Sequence, residues 1–113
     1  MILDTIVLTT QDSLVIVPGQ TGALHVVVGS AIKNTTGLTP TCDVAIIEVG
    51  TEVTLIAAPS SGVRMIKSIS VHNADASAAD FVLGVKRSGT VYKLASVSTL
   101  AADATWTSNQ ADA

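Results

Sequence analysis

The chain has 113 residues, of which 48% are hydrophobic and 13% are charged, and its formal net charge is −3. An average soluble protein carries about 25% charged residues, so roughly half of the usual charge is missing. The six basic residues are scattered along the chain, whereas binding to a nucleic-acid backbone requires clustered Lys and Arg. We therefore expect no nucleic-acid partner.

The low charge has two explanations. A small β-domain with a surface of Ser, Thr, Asn and Gln would be neutral but well hydrated. Alternatively, the chain is a subunit whose outer faces lie against neighbours and so carry few unpaired charges. We favour the second explanation. The length predicts a single domain over residues 1–113 with one core, and residues 108–113 have nothing to bury and are predicted to form a flexible tail.

Targeting and membrane segments are not expected. The N-terminal sequence MILDTIVL has no basic region, and Asp4 interrupts its apolar run, so it is not a secretory signal. No apolar stretch reaches the roughly 18 residues that a membrane-spanning helix needs. The single cysteine, Cys42, has no internal partner for a disulfide, and we expect a buried, unreactive thiol.

The first half of the chain contains short apolar runs separated by turn-forming residues. Candidate strands are Thr5–Thr9, Leu14–Val17 and Leu24–Val28, with Pro18-Gly19 ending the second run. Residues 29–42 are rich in Thr, Asn, Gly and Pro. This composition predicts a long loop, with a short strand around Ala31–Lys33.

The second half continues the same pattern. Candidate strands are Val44–Val49, Val53–Ala57, Val63–Val71, Phe81–Lys86, Val91–Val97 and Leu100–Thr107. About eight to ten short strands at intervals of about 10–12 residues predict an all-β antiparallel sandwich of jelly-roll-like type. The alternative is an α+β domain in which Ala74–Asp80 forms a helical turn.

For two of the predicted strands, the alternation of residues indicates which side chains share a face. Phe81, Leu83 and Val85 share one face, which we place in the core. Ile69 and Val71 also share a face, but Ile66 has the opposite parity. This break predicts either a bulge near Ile66-Lys67 or a strand covered on both sides.

Catalytic and metal sites are not indicated by the sequence. The acidic residues form no paired-carboxylate motif, and Glu48 and Glu52 are interpreted as solvated edge charges. The separations of His25, Cys42 and His72 match no zinc-ligand spacing. The Asp75–Asp80 segment lacks the pattern of a calcium loop. We predict a protein that is not an enzyme, with no catalytic, cofactor-binding or metal residues and no cofactor.

Carbohydrate binding is an alternative function, because many β-sandwich modules bind sugars. Such sites stack sugar rings on aromatic side chains, and with Phe81 assigned to the core, Tyr92 and Trp106 are the candidates. An indole more often caps a core or lies in an interface than forms an open platform, so this alternative is not preferred.

One stretch of the chain resembles a known family. APSSG-x-x-x-I-x-S-I-x-V-x-N (residues 58–73), followed by FVLGVKRSG and a closing Leu94–Leu100, is similar to a pattern in small β-sandwich virion proteins of tailed bacteriophages. In those proteins an APxG-type turn precedes a strand that ends in Asn, and a polar loop and a strand–turn–strand follow. The resemblance covers about 50 residues and implies a structural role without catalytic residues.

The resemblance implies a capsid cement or decoration subunit, made in the host cytoplasm, that binds the outer capsid surface and stabilises the shell. The expected partners are further copies of the chain, in a homo-oligomer for which a trimer is favoured, and the major capsid protein. Neither nucleic acid nor a membrane is expected. The contact candidates are Met1–Thr9, Gly29–Cys42 and the tail near Trp106. Alternatives are a neck, tail or fibre component of a phage and the carbohydrate-binding module.

Overall fold

A computed structural model describes residues 6–19 and 22–108. These residues form strands and connecting segments without a helix, and so contain no helix long and apolar enough to span a bilayer. The strands are β1 (Ile6–Leu8), β2 (Asp12–Pro18), β3 (Leu24–Asn34), β4 (Gly37–Ile47), β5 (Val53–Ile56), β6 (Val63–Asn73), β7 (Ala79–Arg87), β8 (Thr90–Leu100) and β9 (Thr105–Thr107).

The strands form two antiparallel sheets that pack against each other. The first sheet has the order β4-β3-β6, and β1 and β9 share the far edge of β6, each pairing with a different part of it. The second sheet has the order β5-β2-β7-β8. The predicted all-β antiparallel sandwich is therefore confirmed.

Most connections between consecutive strands pass from one sheet to the other. The exceptions are two hairpins within a sheet, β3–β4 and β7–β8. Because β3 and β4 pair without interruption from Leu24 opposite Ile47 to Asn34 opposite Gly37, this hairpin is a long and regular ribbon.

The core lies between the sheets and is mostly aliphatic. Phe81 and Leu83 are buried, as predicted, and Val85 packs against the same cluster from a partly buried position. The ring of Trp106 meets the ring of Phe81 edge to face at 5.9 Å between centroids, a favoured geometry for aromatic pairs. The indole ring of Trp106, on β9 of the first sheet, thus contacts the phenyl ring of Phe81, on β7 of the second sheet.

A bulge causes the irregular alternation of inward-facing residues in β6. Ser68 lies opposite Gly29 and Ile66 lies opposite Ser30, so Lys67 is an extra residue in β6. The bulge returns Ile66 to the inner face that Ile69 also occupies, and both are buried. Of the two sequence interpretations, the bulge near Ile66-Lys67 is confirmed.

The prediction of a long loop over residues 29–42 is wrong. These residues form the second half of β3, a two-residue turn at Thr35-Thr36 and the first half of β4. The segment lacks hydrophobic alternation because residues 33–40 are exposed. Pairing with β3 and β6, rather than local propensity, makes it a ribbon. We call residues 33–40 the β3–β4 arm.

The helical turn predicted for Ala74–Asp80 is absent, so the α+β alternative is wrong. The segment bends and then enters β7 at Ala79. Asn73, which is fully buried, accepts a hydrogen bond from the Asp75 backbone N–H at 3.0 Å and donates from Nδ2 to the Ser77 carbonyl at 2.8 Å. These two bonds replace the helical pattern that the alanine content favours.

The C-terminal part also differs from the prediction. Leu100 ends β8, and residues 101–104 separate it from β9, so Leu100–Thr107 is not one strand. Ser108 is buried; its hydroxyl accepts from the Ile69 N–H at 2.9 Å, and its own N–H donates to the Ile69 carbonyl. The structure therefore includes Ser108 in the fold, and the rest of the predicted tail, residues 109–113, lies outside the described residues.

The connection from β1 to β2 depends on a buried carboxylate. Asp12 is 1% exposed and accepts hydrogen bonds from the Thr9 N–H at 3.0 Å and the Thr9 hydroxyl at 2.8 Å. It also forms a bidentate ion pair with Arg87 at the end of β7, with one of the two distances at 2.8 Å. Arg87 and Thr9 together hold the pKa of the Asp12 carboxyl well below its ordinary value.

We expect Asp12→Asn to lower the free energy of unfolding at pH 7 by about 2 kcal/mol, because hydrogen bonds to charged groups contribute about 1.5–3 kcal/mol. The unfolded carboxyl titrates near pH 3.9, and the folded pKa is lower. The stabilisation is therefore present above about pH 4 and is lost as the pH falls towards the folded pKa. Urea unfolding of both proteins at pH 7 and pH 3 should show a smaller difference at pH 3. An equal difference at both pH values would contradict this assignment.

Candidate interaction surface

A continuous part of the outer face of the first sheet carries no charged residue across four neighbouring strands, and Lys33 of β3 lies on the same side of the sheet beyond this part. Residues that lie directly opposite each other in the ladders share this face. They are Cys42, Val44 and Ile46 on β4, His25, Val27 and Gly29 on β3, Ser68, Ser70 and His72 on β6, and Thr105 and Thr107 on β9. We call this set the uncharged face. The bulge residue Lys67 marks its border along β6.

One corner of the uncharged face is apolar. The exposed fraction is 41% for Val27, 74% for Val44 and 63% for Ile46. Val27 lies opposite Val44, and His25 lies opposite Ile46, so these side chains form a continuous patch over β3 and β4. Single exposed aliphatic residues are ordinary, but a contiguous group on a sheet face indicates a contact surface.

The acidic residue of β4 points away from this face. Asp43 lies opposite the buried Val28, and therefore on the inner side of the sheet. Arg64 of β6 forms an ion pair with Asp43. The same guanidinium donates to the hydroxyls of Ser30 and Thr41, both at 3.0 Å. This network joins β6, β3 and β4 beneath the exposed corner and neutralises the one acidic side chain of β4.

A polar cluster lies across the sheet from the apolar corner, on β6 and β9. His72 contacts the Thr105 hydroxyl through Nδ1 at 2.7 Å and the Asp103 carboxylate through Nε2 at 3.0 Å. A hydroxyl, an imidazole and a carboxylate in this order resemble a nucleophile relay. Such a relay needs a site that excludes water, yet the Asp103 side chain is 93% exposed. We interpret the cluster as bonds that fix β9 and its preceding turn to β6.

The three residues considered as zinc ligands all lie on the uncharged face. The structure brings two of them together, since the rings of His25 and His72 are 6.3 Å apart between centroids. Cys42 lies opposite Gly29, several residues further along the sheet. Within residues 6–19 and 22–108, no group of three or more His, Cys, Asp or Glu side chains could hold a metal ion.

The prediction of a buried Cys42 thiol is wrong, because Cys42 is exposed. Its flanking residues suggested the entry to a buried strand, but β4 is an edge strand and Cys42 has the parity of the outward-facing Val44. Glu52, interpreted as a solvated charge, pairs with Lys86 at 2.6 Å between Oε2 and Nζ, while Glu48 is exposed.

The aromatic residues considered for sugar stacking are not brought together. Trp106 is partly buried and packs on Phe81 from the inner side of the first sheet. Tyr92 is 60% exposed and belongs to β8 of the second sheet. An open platform built from both rings is therefore absent from the described residues.

The other contact candidates are placed as follows. Of Met1–Thr9, residues 1–5 lie outside the described residues, and residues 6–8 form β1 beside β6. Gly29–Cys42 contains the β3–β4 arm, where Leu38 is 55% exposed. The tail beyond Trp106 is described as far as Ser108. Among these candidates, the arm offers the largest continuous exposed segment, residues 33–40.

The uncharged face is not apparent from the sequence, because it is built from three separated parts of the chain. The signal that could have identified it is the sequence CDVAI, in which exposed aliphatic residues alternate with an inward Asp43. Alternation alone does not tell which set of residues faces water. Here the aliphatic set, Val44 and Ile46, is the exposed one, against the usual expectation.

Comparison with known proteins gave no match for this chain. No protein-family model, no curated protein sequence and no solved structure is significantly similar to it. Functional inference therefore depends on the residues and surfaces of the chain itself.

Proposed function

We propose that the chain is a structural subunit of a bacteriophage particle, without enzymatic activity, that binds the outer surface of the capsid. In this proposal it acts as a cement or decoration protein. It assembles with further copies of itself and with the major capsid protein, and it stabilises the shell by adding buried area between capsid subunits.

The observation that supports a structural role is the uncharged face. The centres of protein interfaces are depleted of charged residues relative to the rest of the surface. No Asp, Glu, Lys or Arg lies on this face within residues 25–29 of β3, 42–46 of β4, 68–72 of β6 and 105–107 of β9, and Val44 and Ile46 remain 74% and 63% exposed. A surface of this kind is suited to permanent contact with another protein. The resemblance of residues 58–73 to phage virion proteins suggests that this other protein belongs to the phage capsid.

The proposed mechanism is passive. The Arg64 network and the bulged pairing with β6 brace the ribbon of β3 and β4, so the ribbon can present the uncharged face without rearranging. An interface on the order of 1,000 Å² per copy is sufficient for specific association. Repeated over a shell, many such contacts add up to a large stabilisation although each one is modest.

The location on the particle is the first test. Cryo-electron microscopy of virions of the phage that encodes the chain should show density for it distributed over the shell. Virions stripped of the protein should release their DNA at a lower temperature than complete virions. Density confined to a vertex, the neck or the tail would favour the alternative of a tail or fibre component, and absence from virions would contradict both.

A charge on the uncharged face should weaken shell binding. Val27→Glu places a carboxylate in the apolar corner of this face, and binding would require its desolvation without a partner. We expect at least a tenfold loss of affinity for stripped shells, on the order of 1.4 kcal/mol or more, measured by co-sedimentation. The matched control is Ser96→Glu, which places the same charge at an exposed position of β8 in the second sheet. Equal loss for both variants would contradict the assignment of the face.

A further inference from the structure

We propose that the free edge of β4 pairs with β4 of a second copy, antiparallel and about a two-fold axis that passes beside Val44. This contact would join the first sheets of two protomers into one continuous sheet. The proposal specifies the self-association that the proposed function includes, and it can fail while shell binding remains.

The backbone of β4 has an unpaired edge. One side of the strand pairs with β3, and within the described residues no strand pairs with the other side. The hairpin closes through a two-residue turn between Asn34 and Gly37, so this pair and every second pair after it are hydrogen-bonded to β3. The N–H and C=O groups of the intervening residues, Cys42, Val44 and Ile46, therefore point outward from the sheet edge.

The position of Pro40 agrees with this assignment. Proline has no N–H and occurs in edge strands where that side of the backbone faces solvent. The backbone N atom of Pro40 lies on the side of β4 away from β3, as do the N–H groups of Cys42 and Val44. Pro40 also limits where a further strand could pair, because it interrupts the row of donors. The segment with complete pairing capacity is residues 41–47, which contains the exposed Val44 and Ile46.

The other long edge, that of β8, is less suited to pairing. Its ladder with β7 contains two register shifts, whereas the β3–β4 ladder contains none. Thr99 has a φ of 60°, which a β-branched residue rarely adopts, and Lys93 is exposed in the middle of the strand. Irregularities and lysines of this kind protect edge strands from pairing. β4 lacks both between Thr41 and Ile47.

The sequence of β4 is self-complementary in one register. With Val44 opposite Val44 of the partner subunit, Cys42 lies opposite the partner's Ile46, and Asp43 lies opposite the partner's Ala45. The outward-pointing N–H and C=O groups of Cys42, Val44 and Ile46 then all form hydrogen bonds with the partner strand. The acidic side chains stay apart, and each remains paired with its own Arg64.

The neighbouring registers are less favourable. Shifting the pairing in one direction places Asp43 opposite Asp43 of the partner subunit and brings Pro40 into the ladder. Like charges directly opposite each other are destabilising, and the missing N–H removes a bond. Shifting in the other direction moves Cys42 opposite Glu48 of the partner subunit, beyond the end of the strand at Ile47, which shortens the ladder.

The consequence is a dimer with a doubled contact surface. A strand that pairs antiparallel with its own copy requires a two-fold axis, so this edge produces a dimer and not the trimer expected from the sequence. The two uncharged faces would become one surface with the apolar corners of Val27, Val44 and Ile46 at its centre. A two-fold surface of this kind could bridge two capsid subunits.

The mass in solution tests the contact. Size-exclusion chromatography with light scattering should give twice the 11.5 kDa of one chain for the wild type. Val44→Lys should raise the dissociation constant at least tenfold and give a monomer at micromolar concentration. Leu38→Lys is the matched control, since Leu38 is exposed on the same strand but lies beyond Pro40. It should remain a dimer, and circular dichroism should show that both variants are folded.

Cysteine crosslinking tests the register. At the two-fold axis, paired Cα atoms would be about 5.5 Å apart, within the range of about 4.4–6.8 Å that a disulfide spans. Val44→Cys in a Cys42→Ser background should therefore crosslink on oxidation. The wild-type Cys42 residues would be about 13 Å apart along the strands and should not crosslink. Ala45→Cys in the same background should crosslink more slowly than Val44→Cys.

A monomeric wild type, a trimer, or a dimer that Val44→Lys leaves intact would overturn the inference. Efficient crosslinking through Cys42 would overturn the register. A monomer that still binds stripped shells would overturn the inference and leave the shell-binding part of the proposed function standing. A dimer that does not bind shells would support the inference and contradict the proposed function.

Discussion

Replacing Asn73 with Ala is expected to lower the free energy of unfolding by about 3–5 kcal/mol, a large part of the roughly 5–15 kcal/mol of a typical domain. The side chain is fully buried at the end of β6. Its Nδ2 lies 2.8 Å from the Ser77 carbonyl, 2.9 Å from that of Leu100 and 3.3 Å from that of Ala101. Truncation would leave these acceptors and the Asp75 N–H, which are partly buried, without their present partner.

Asn73→Asp separates hydrogen bonding from packing. The carboxylate has nearly the same shape as the amide but cannot donate, and it would face three carbonyl oxygens. We expect Asn73→Asp to be at least as destabilising as Asn73→Ala at pH 7, measured by urea unfolding. The control is Asn34→Ala, which removes an exposed bond to the Thr36 N–H in the turn of the arm and should cost about 1 kcal/mol or less. A stable Asn73→Asp variant would contradict the role assigned to the amide.

Asn73 illustrates what the sequence could not predict. An Asn at the end of a strand is a turn signal, so the sequence could indicate that a strand ends near Asn73. Its bonds to Leu100 and Ala101, however, join residues 27 and 28 positions away in the chain. Nothing in the local pattern indicates that the β6–β7 connection and the β8–β9 connection meet at this side chain.

Strands with one buried face could be predicted, because burial imposes alternation. Phe81 and Leu83 are buried as predicted, and the changed parity between Ile66 and Ile69 predicted either a bulge or a strand covered on both sides, of which the structure contains the bulge. The β3–β4 arm could not be predicted, since residues 33–40 are exposed and composition was the remaining guide. The edge position of β4 was equally hidden. For that reason Cys42 was assigned to the interior and the uncharged face was missed.

Gly62→Ala is the second substitution with a large expected effect. Gly62 precedes β6 with a φ of +68°, and a Cβ at this position would overlap the Lys33 carbonyl oxygen. The left-handed conformation costs a non-glycine residue about 1–2 kcal/mol, and overpacking costs about 1–3 kcal/mol more. We therefore expect a loss of about 2–5 kcal/mol in the free energy of unfolding.

The control variant Gly89→Ala separates the cost of the contact between Gly62 and Lys33 from the cost of the backbone conformation. Gly89 has a similar φ of +81°, but a Cβ there would meet no atom within 4 Å, so only the conformational cost of about 1–2 kcal/mol applies. The excess loss for Gly62→Ala measures how closely the turn before β6 packs under the β3–β4 arm. Because the Lys33 oxygen belongs to the backbone of β3, the arm itself must shift to admit the methyl group. Amide exchange in residues 33–40 should therefore accelerate in Gly62→Ala and stay unchanged in Gly89→Ala. Equal stability and exchange in the two variants would show that the arm is held by the β3–β4 ladder and the Lys33–Val63 pair, without a contribution from the contact at Gly62.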